Sequence, residues 1–499
     1  MPSSGTLDRC APVLANDKKT TGDCTVKRQP WQQGFSLLIL TTLLGGCAGF
    51  GPDHKAADLL TADQLALSAK SAHAPAQGWW HQLQDPQLDQ LIETAHQHSP
   101  SLKLVEDRLQ EARNAAGLSE SQLGPKVDLE AGNVRERFST NGYMPAPIGG
   151  NFYNSYTLSL NASWELDFWG KNHAKVRAAL GAMQAAALET QQARLLLTQA
   201  VIAQYTEIQR QQQLQRINLQ RLQLIGTRIS LMQARVSAGL LSADTVQQAE
   251  MSKTRLQASN AEIQGNLQRA RHALAALTGQ APNALDALKP ATLGEPPRVV
   301  EAAVTSDLLG RRPDIASQRA LVEAMSENVK AARAEFYPNV SLSGVLGYNS
   351  VDLSTLLEHS SRIVTFAPAL SLPLFHSGQL QANLKGQQSR YDQAVDTYNQ
   401  TLLNGLKDAA DALSSQQQTH AQLLQAHKGF DASKKAADAM LLRLRAGMVS
   451  KLDVLDSQDT ALSMQGNQLE AQAGARLAWA KLNTALGGGL ATVATPVKD

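Results

Sequence analysis

The chain has 499 residues, 46 of them basic and 44 acidic, with 18% charged, 43% apolar and 5% aromatic side chains. The charged share lies below the ~25% of ordinary soluble domains, and the apolar share is mostly Ala and Leu, with abundant Gln beside it. A net charge of +2 gives no case for nucleic acid, and three cysteines exclude a disulfide framework or a multi-cysteine metal site.

The N-terminus reads as an address. Lys27 and Arg28 precede an apolar run from Phe35 to Leu44, which leads into Gly45-Gly46-Cys47. Basic residues, a short apolar run and small residues mark a secretory signal. The run is too short to cross a bilayer, which takes ~20 apolar residues. Its ending resembles the bacterial lipobox. That implies that Cys47 carries S-diacylglycerol and an N-palmitoyl group as the mature N-terminus. Ala48, rather than Asp, follows it, which in that pattern implies the outer membrane. Residues 1–26 are too polar for a signal, so translation is expected to start near Val26. Cleavage at 46 removes Cys10 and Cys24 with five basic and three acidic residues, and leaves 41 of each.

Beyond Cys47 the chain repeats itself. Pro100-Ser-Leu through Pro125-Lys-Val127-Asp-Leu129 aligns with Pro313-Asp-Ile through Pro338-Asn-Val340-Ser-Leu342, 213 residues on. Arg235-Val-Ser-Ala-Gly239 aligns with Arg443-Leu-Arg-Ala-Gly447, 208 residues on. Two units follow, 100–279 and 313–489, flanked by an N-terminal segment 47–99, a linker 280–312 and a tail 490–499.

Inside each unit the hydrophobic period switches. Tyr156, Leu158, Leu160, Ala162, Trp164, Leu166 and Phe168 alternate with polar residues, the signature of a half-buried strand. Val127, Leu129 and Ala131 begin its partner. The first hairpin is expected over 126–168 and the second, from Val340 to Leu374, over 339–374. Four strands cannot close a membrane barrel, which needs at least eight, and a bilayer tolerates no open sheet edge. Three chains supply twelve strands, so a homotrimer is expected.

From Lys171 to Ala238, and again from Gln379 to Ala446, there is no Pro. Two long helices are expected there, each spanning ~100 Å at ~1.5 Å per residue. Shorter helices over 101–123 and 241–279, and over 314–336 and 450–486, would stack end to end beside them. The narrow, Ala-rich apolar stripe suits a curved wall with water on one side. His96 and His98 sit two apart on a helix, point to different faces and read as solvated.

Several motifs in fixed order carry a resemblance. They are Trp79-Trp80, Asp85-Pro86-Gln-Leu88, Trp164-Glu-Leu-Asp167-Phe-Trp-Gly170-Lys171, Arg311-Arg312-Pro313-Asp314, Pro368-Ala-Leu-Ser-Leu-Pro373-Leu-Phe375 and Leu452-Asp453-Val-Leu-Asp456. With them the chain resembles the outer-membrane factors, the family that includes TolC and OprM. Within it the similarity is to the NodT-type lipoprotein branch, with its MdtP-like and fusaric-acid-resistance proteins. The resemblance implies a trimer forming a twelve-stranded outer-membrane β-barrel on a long periplasmic α-helical barrel, with an equatorial collar from 52–99, 280–312 and the tail. The partners it implies are a periplasmic membrane-fusion adaptor and an inner-membrane pump of the resistance-nodulation or major-facilitator type. The function it implies is efflux of drugs or other small toxic compounds.

The same resemblance implies two sites. Gly239-Leu240 and Gly447-Met448 match the adaptor-contacting tips, although a glycine there also serves as a helix C-cap. Asp453 and Asp456 match the pore gate at the narrow end of the tunnel. Val449 replaces an Arg that some relatives use as a latch, which leaves Lys451 or Arg445 as latch candidates. In the first repeat, Asp244 falls one residue early and Thr245 stands in the usual position. No nucleophile elbow, phosphate loop, zincin motif or dinucleotide fingerprint is present, so neither an enzyme, a metal nor a cofactor is expected. The rival readings are the outlet of a protein-secretion system and a structural lipoprotein that braces the envelope.

Overall fold

The computed structural model describes residues 55–61, 64–65, 75–297 and 311–489. Cys47 and the signal, residues 298–310 of the linker and the tail 490–499 lie outside the described residues. A helix α1 (Pro86–His98) precedes the first repeat, which runs α2 (Pro100–Ser121), β1 (Lys126–Arg137), β2 (Phe152–Leu166), α3 (Lys171–Ser237) and α4 (Ala243–Leu277). The second repeat runs α5 (Pro313–Ala334), β3 (Asn339–Ser350), β4 (Arg362–Ser371), α6 (Gln379–Arg445) and α7 (Lys451–Ala485). The two copies agree in helix length: 22 residues for α2 and α5, 67 for α3 and α6, 35 for α4 and α7.

The hairpins do not stand apart. β2 pairs antiparallel with β3 from Tyr156 opposite Ser350 to Leu166 opposite Val340, which makes one sheet in the order β1-β2-β3-β4. The register lines up one apolar face. Leu129, Leu160, Leu346 and Val364 form one row across all four strands, and Val127, Ala162, Gly344 and Phe366 the next. Leu129, Leu346, Val364 and Phe366 are 70%, 59%, 75% and 72% exposed. The opposite face bonds polar side chains to one another: Asn161 donates to Glu130 Oε2 at 2.9 Å and Asn349 to Thr157 Oγ1 at 2.9 Å. A soluble sheet buries its apolar face. This sheet exposes it, as a barrel in lipid does.

Both strands end earlier than the alternation predicts, β2 at Leu166 and β4 at Ser371. At the first end the Asp167 carboxylate accepts from His173 N and pairs with His173 Nδ1, each at 2.7 Å. That turns the chain into α3 through Gly170, at φ +75°. At the second end Pro373 offers no N–H to a ladder. The alternation continued because the next residues are apolar for another reason. Phe168, Trp169, Leu374 and Phe375 stand exposed at the base of the sheet, where a membrane barrel carries an aromatic girdle. Trp169 stacks on Tyr337 at 5.0 Å and donates its indole N–H to the Pro338 carbonyl.

Below the sheet α2 and α4 both lie along α3. Their ends meet closely: a Cβ on Gly279, just past α4, would stand 2.3 Å from the His98 carbonyl oxygen ahead of α2. The repeat has the same joint at Gly487, 2.6 Å from the Arg311 carbonyl oxygen. The main core forms at this level. Leu88, Ile92 and Trp79 pack on Tyr205, Ile208 and Trp479, and Asp85 caps α1 by accepting from Gln87 N and Leu88 N. His96 joins this packing. Its Nε2 meets Thr198 Oγ1 at 2.9 Å and burial lowers its pKa, so it is not the solvated side chain expected from its spacing.

The Arg312-Pro313-Asp314 motif is a second joint. The nearly buried Arg312 guanidinium bonds Asp314 at 2.7 and 3.1 Å. It also donates to the carbonyls of Gly405 on α6 (3.3 Å) and Ala485 on α7 (3.1 Å). A Cβ at residue 405 would lie 3.2 Å from Arg312 Nε, so the glycine admits the guanidinium. Arg312→Ala leaves Asp314 and both carbonyls without these partners. It is expected to destabilise the fold by about 2 kcal/mol. Thermal melting of the purified protein in detergent, followed by helix signal, measures this; an unchanged midpoint would refute the joint.

Candidate functional site at the helix tips

The long and short helices of each repeat meet at a tight turn. In the first, Gly239 adopts φ +72°, its N–H reaches Val236 O at 2.9 Å, and Leu240 N reaches Arg235 O at 2.8 Å. In the second, Gly447 also has φ +72°, with Gly447 N on Leu444 O and Met448 N on Arg443 O, both at 2.9 Å. These paired bonds define a Schellman cap, which requires a left-handed residue at the glycine. The cap usually buries the residue after the glycine against its own helix. Here Leu240 and Met448 are 75% and 73% exposed, one apolar side chain presented to solvent at each tip.

The acidic residues start one turn further on. Ser450 caps α7 in a reciprocal box: Ser450 N donates to Asp453 Oδ2 at 2.8 Å, and Asp453 N to Ser450 Oγ at 3.4 Å. These bonds hold the Asp453 carboxyl below the usual carboxylate range. Asp456 faces α3, where Arg228 Nη1 approaches its Oδ1 at 2.5 Å. Burial raises its pKa, Arg228 opposes the rise, and Asp453 and Asp459 add to it. In the first repeat Asp244 accepts from Ser242 Oγ, and Thr245 Oγ1 donates to Ser242 O at 2.6 Å.

Within the chain the ion-pair partner of Asp456 comes from the first repeat. Arg228 belongs to a ladder between α3 and α7. Arg221 binds Asp459 with both arms, at 2.8 and 3.1 Å, and Arg210 binds Glu470 at 2.5 and 2.6 Å. The sequence held one signal of this. Arg221, Arg228 and Arg235 recur every seven residues, on one face of α3. That α7 lies against this face is a tertiary fact. Among the described residues no cluster of His, Cys, Asp and Glu could hold a metal ion.

The sequence matches the outer membrane efflux protein family over residues 91–280 and 304–488. The multidrug resistance outer membrane protein MdtP of Escherichia coli O6:H1 is 30% identical over 475 residues, covering 91% of this chain and 96% of that protein. The crystal structure of the outer membrane protein VceC from Vibrio cholerae has a TM-score of 0.74 at 32% identity, covering 83% of this chain and 99% of its own. The outer-membrane channel OprN has a TM-score of 0.76 at 27% identity, covering 88% and 99%. The fold is that of outer-membrane channels, and these matches take in both repeats, the sheet that meets the lipid and the helices that reach into the periplasm. This chain thus belongs to the outer membrane efflux protein family.

Proposed function

We propose that three copies of the chain form a passive conduit through the outer membrane, the outlet of a tripartite efflux system. A periplasmic adaptor docks on the helix tips, and an inner-membrane pump of the resistance-nodulation or major-facilitator type supplies the energy. The cargo is drugs or other small toxic compounds, as the multidrug resistance named for the MdtP relative suggests. One observation carries this reading: a sheet with its apolar face outward and both outer strands, β1 and β4, unpaired. Lipid cannot satisfy such edges. Strand alternation makes β4 of one copy antiparallel to β1 of the next, and three copies close twelve strands around a polar inner face. Twelve strands enclose more than an eight-stranded barrel, whose interior side chains fill. Purified protein in planar bilayers is expected to give steady single-channel currents. Trimers without conductance would refute the conduit and favour an envelope brace.

Cys47 is assigned as the lipid anchor. Support comes from the segment after it: Ala57 N donates to Asp392 Oδ1 at 3.1 Å and Leu60 N to Asn399 Oδ1 at 2.9 Å. These positions lie 13 and 20 residues down α6 from Gln379, roughly 20–30 Å below the sheet. Cys47 lies ten positions before Ala57, a stretch that reaches at most ~35 Å, as long as that distance. Acyl chains gain about 0.8 kcal/mol per buried CH₂, but the barrel also holds the protein. Cys47→Ser is expected to abolish palmitate labelling and leave trimers in the membrane fraction. Loss of all trimer on native gels would show that the barrel alone does not suffice.

A further inference from the structure

The sheet sorts its charges by face. The row through Leu129, Leu160, Leu346 and Val364 marks the outer, apolar face, and every second residue along each strand shares it. The three arginines of the strands, Arg135, Arg137 and Arg362, all fall on that face. The four carboxylates, Asp128, Glu130, Glu136 and Glu165, all fall on the inner one. The arginines also gather at one end. Arg362 opens β4 in the row of Ala131, Leu158 and Tyr348, and Arg135 and Arg137 lie four and six residues beyond Ala131. This is the end of the hairpin loops, opposite to the helices. Leu158 and Leu166 are eight residues apart on the outer face, ~27 Å along the strand or ~20 Å of height at a tilt of ~40°. That approaches the ~25 Å apolar band of a membrane barrel. The arginines therefore stand at the upper rim of the band, at the level of the outer leaflet's headgroups.

All three arginines are exposed, and among the described residues no carboxylate pairs with any of them. The Arg135 guanidinium leans over the Phe152 ring, 5.4 Å from its centroid, and Arg137 Nε donates to the Gly150 carbonyl at 3.1 Å. Both are held at the rim with most of their N–H groups unused. The foot of the sheet is built differently: there Lys171 is neutralised by Glu165. A guanidinium at a lipid surface is costly to desolvate unless an anion meets it, and its planar fork matches phosphate oxygens two at a time. We propose that this rim binds the phosphorylated glycolipid of the outer leaflet. The ligand is of lipid A type, a disaccharide with two phosphates and several acyl chains. Its phosphates sit on Arg135, Arg137 and Arg362, its sugars lie against Phe152, Tyr156 and Tyr348, and its chains run down the apolar rows. This rests on the threefold assembly above. Within one copy β1 and β4 are three strand spacings apart, ~14 Å. In the closed ring β4 of one copy runs beside β1 of the next, ~4.8 Å away. Arg362 then joins Arg135 and Arg137 of its neighbour, so each site is completed at a boundary between copies and the bound lipid clamps it.

Native mass spectrometry of the purified protein in detergent, with diphosphoryl lipid A or phosphatidylglycerol added, tests the site. Wild-type trimers are expected to retain lipid A, one molecule per boundary, and to release it as salt rises. Phosphatidylglycerol, which has one phosphate and no sugar, is expected to be retained roughly tenfold less. Arg135→Gln together with Arg362→Gln is expected to lower lipid A retention roughly tenfold. Lys126→Gln removes a charge from the inner face of β1 and is expected to change nothing. Arg135→Lys keeps the charge without the fork and should fall between wild type and the Gln variant. Added lipid A is also expected to raise the temperature at which wild-type trimers dissociate, and to leave that of the double variant where it was. Trimers that retain no lipid A, or equal retention in wild type and the double variant, overturn the site alone. Equal retention of phosphatidylglycerol overturns the glycolipid assignment, because any anionic lipid would then serve. A chain that is monomeric in every spectrum overturns the threefold assembly and the shared site with it.

Discussion

Channels carrying Asp453→Asn and Asp456→Asn together are expected to lose their preference for cations, by roughly tenfold in permeability ratio. With Asp453 and Asp456 as the proposed gate, a trimer would set six carboxylates around one axis, and such rings attract cations. The geometry sharpens the expectation, because the two carboxylates are engaged differently. Asp453 is held in the α7 cap, and Asn in its place still accepts a bond at a helix N-terminus, so the helix start persists. Asp456 is neutralised by Arg228. Its replacement frees that guanidinium to face the lumen and pushes selectivity towards anions. Arg228→Ala acts in the opposite sense: it unmasks Asp456, raises cation preference and removes one tie between α3 and α7. Opposite shifts from the two variants in planar bilayers are the expected pattern. If the double variant keeps wild-type preference and its block by multivalent cations, these residues do not line the constriction.

The same two residues set the direction of pH effects. Asp453 is depressed below its ordinary 3.8 by its bonds to Ser450. Its contribution to the start of α7 is therefore fully present above that value, and is lost as pH falls through the depressed one. Asp456 is raised, mainly by burial. It takes up its proton first on acidification, and protonation relieves the cost of its burial, so it adds no acid instability of its own. Cation preference should decline in that order, with Asp456 before Asp453.

Much of this architecture was legible because its signals are local. Absence of Pro, and glycines at helix ends, bounded the long helices at 171–238 and 379–446, against Lys171–Ser237 and Gln379–Arg445 in the structure. Period-two alternation located the strands. Duplication was visible because both copies keep the same motifs in the same order, 213 and 208 residues apart. The features that escaped depend on distant pairing. Nothing near Tyr156 or Ser350 announces that β2 and β3 share an edge. Phe168 and Leu374 extend the alternating pattern, although the backbone has already turned, because the foot of the sheet needs apolar residues too. Arg228 and Asp456 lie 228 residues apart in sequence, and only the packing of α7 on α3 brings them together. His96 looked solvated for the same reason: the surface it packs against is Thr198, on another helix.

Gly239→Trp is expected to reduce drug resistance to the level of a deletion strain while leaving trimers intact. A cap and a dock predict different outcomes for substitutions at this residue. As a cap, Gly239 is needed only for its positive φ, and any side chain there costs about 1–2 kcal/mol. Ala and Trp would then behave alike. As part of a dock, the residue must also leave its outer surface clear. Beyond its chain neighbours, no atom lies within 4 Å of a Cβ built on Gly239 or on Gly447, so a side chain there starts into open space. An indole would stand in the space beside Leu240, the approach of the proposed adaptor. Gly239→Ala is therefore expected to retain most resistance, with the modest strain of a left-handed alanine, and Gly239→Trp to retain almost none. Leu240→Ala, which removes apolar contact and leaves the backbone free, should fall between them. The measurements are minimal inhibitory concentrations, with trimer content on native gels and helix signal as folding controls. Equal resistance in the Ala and Trp variants, at equal trimer content, would sink the docking role and leave the glycine a helix cap only.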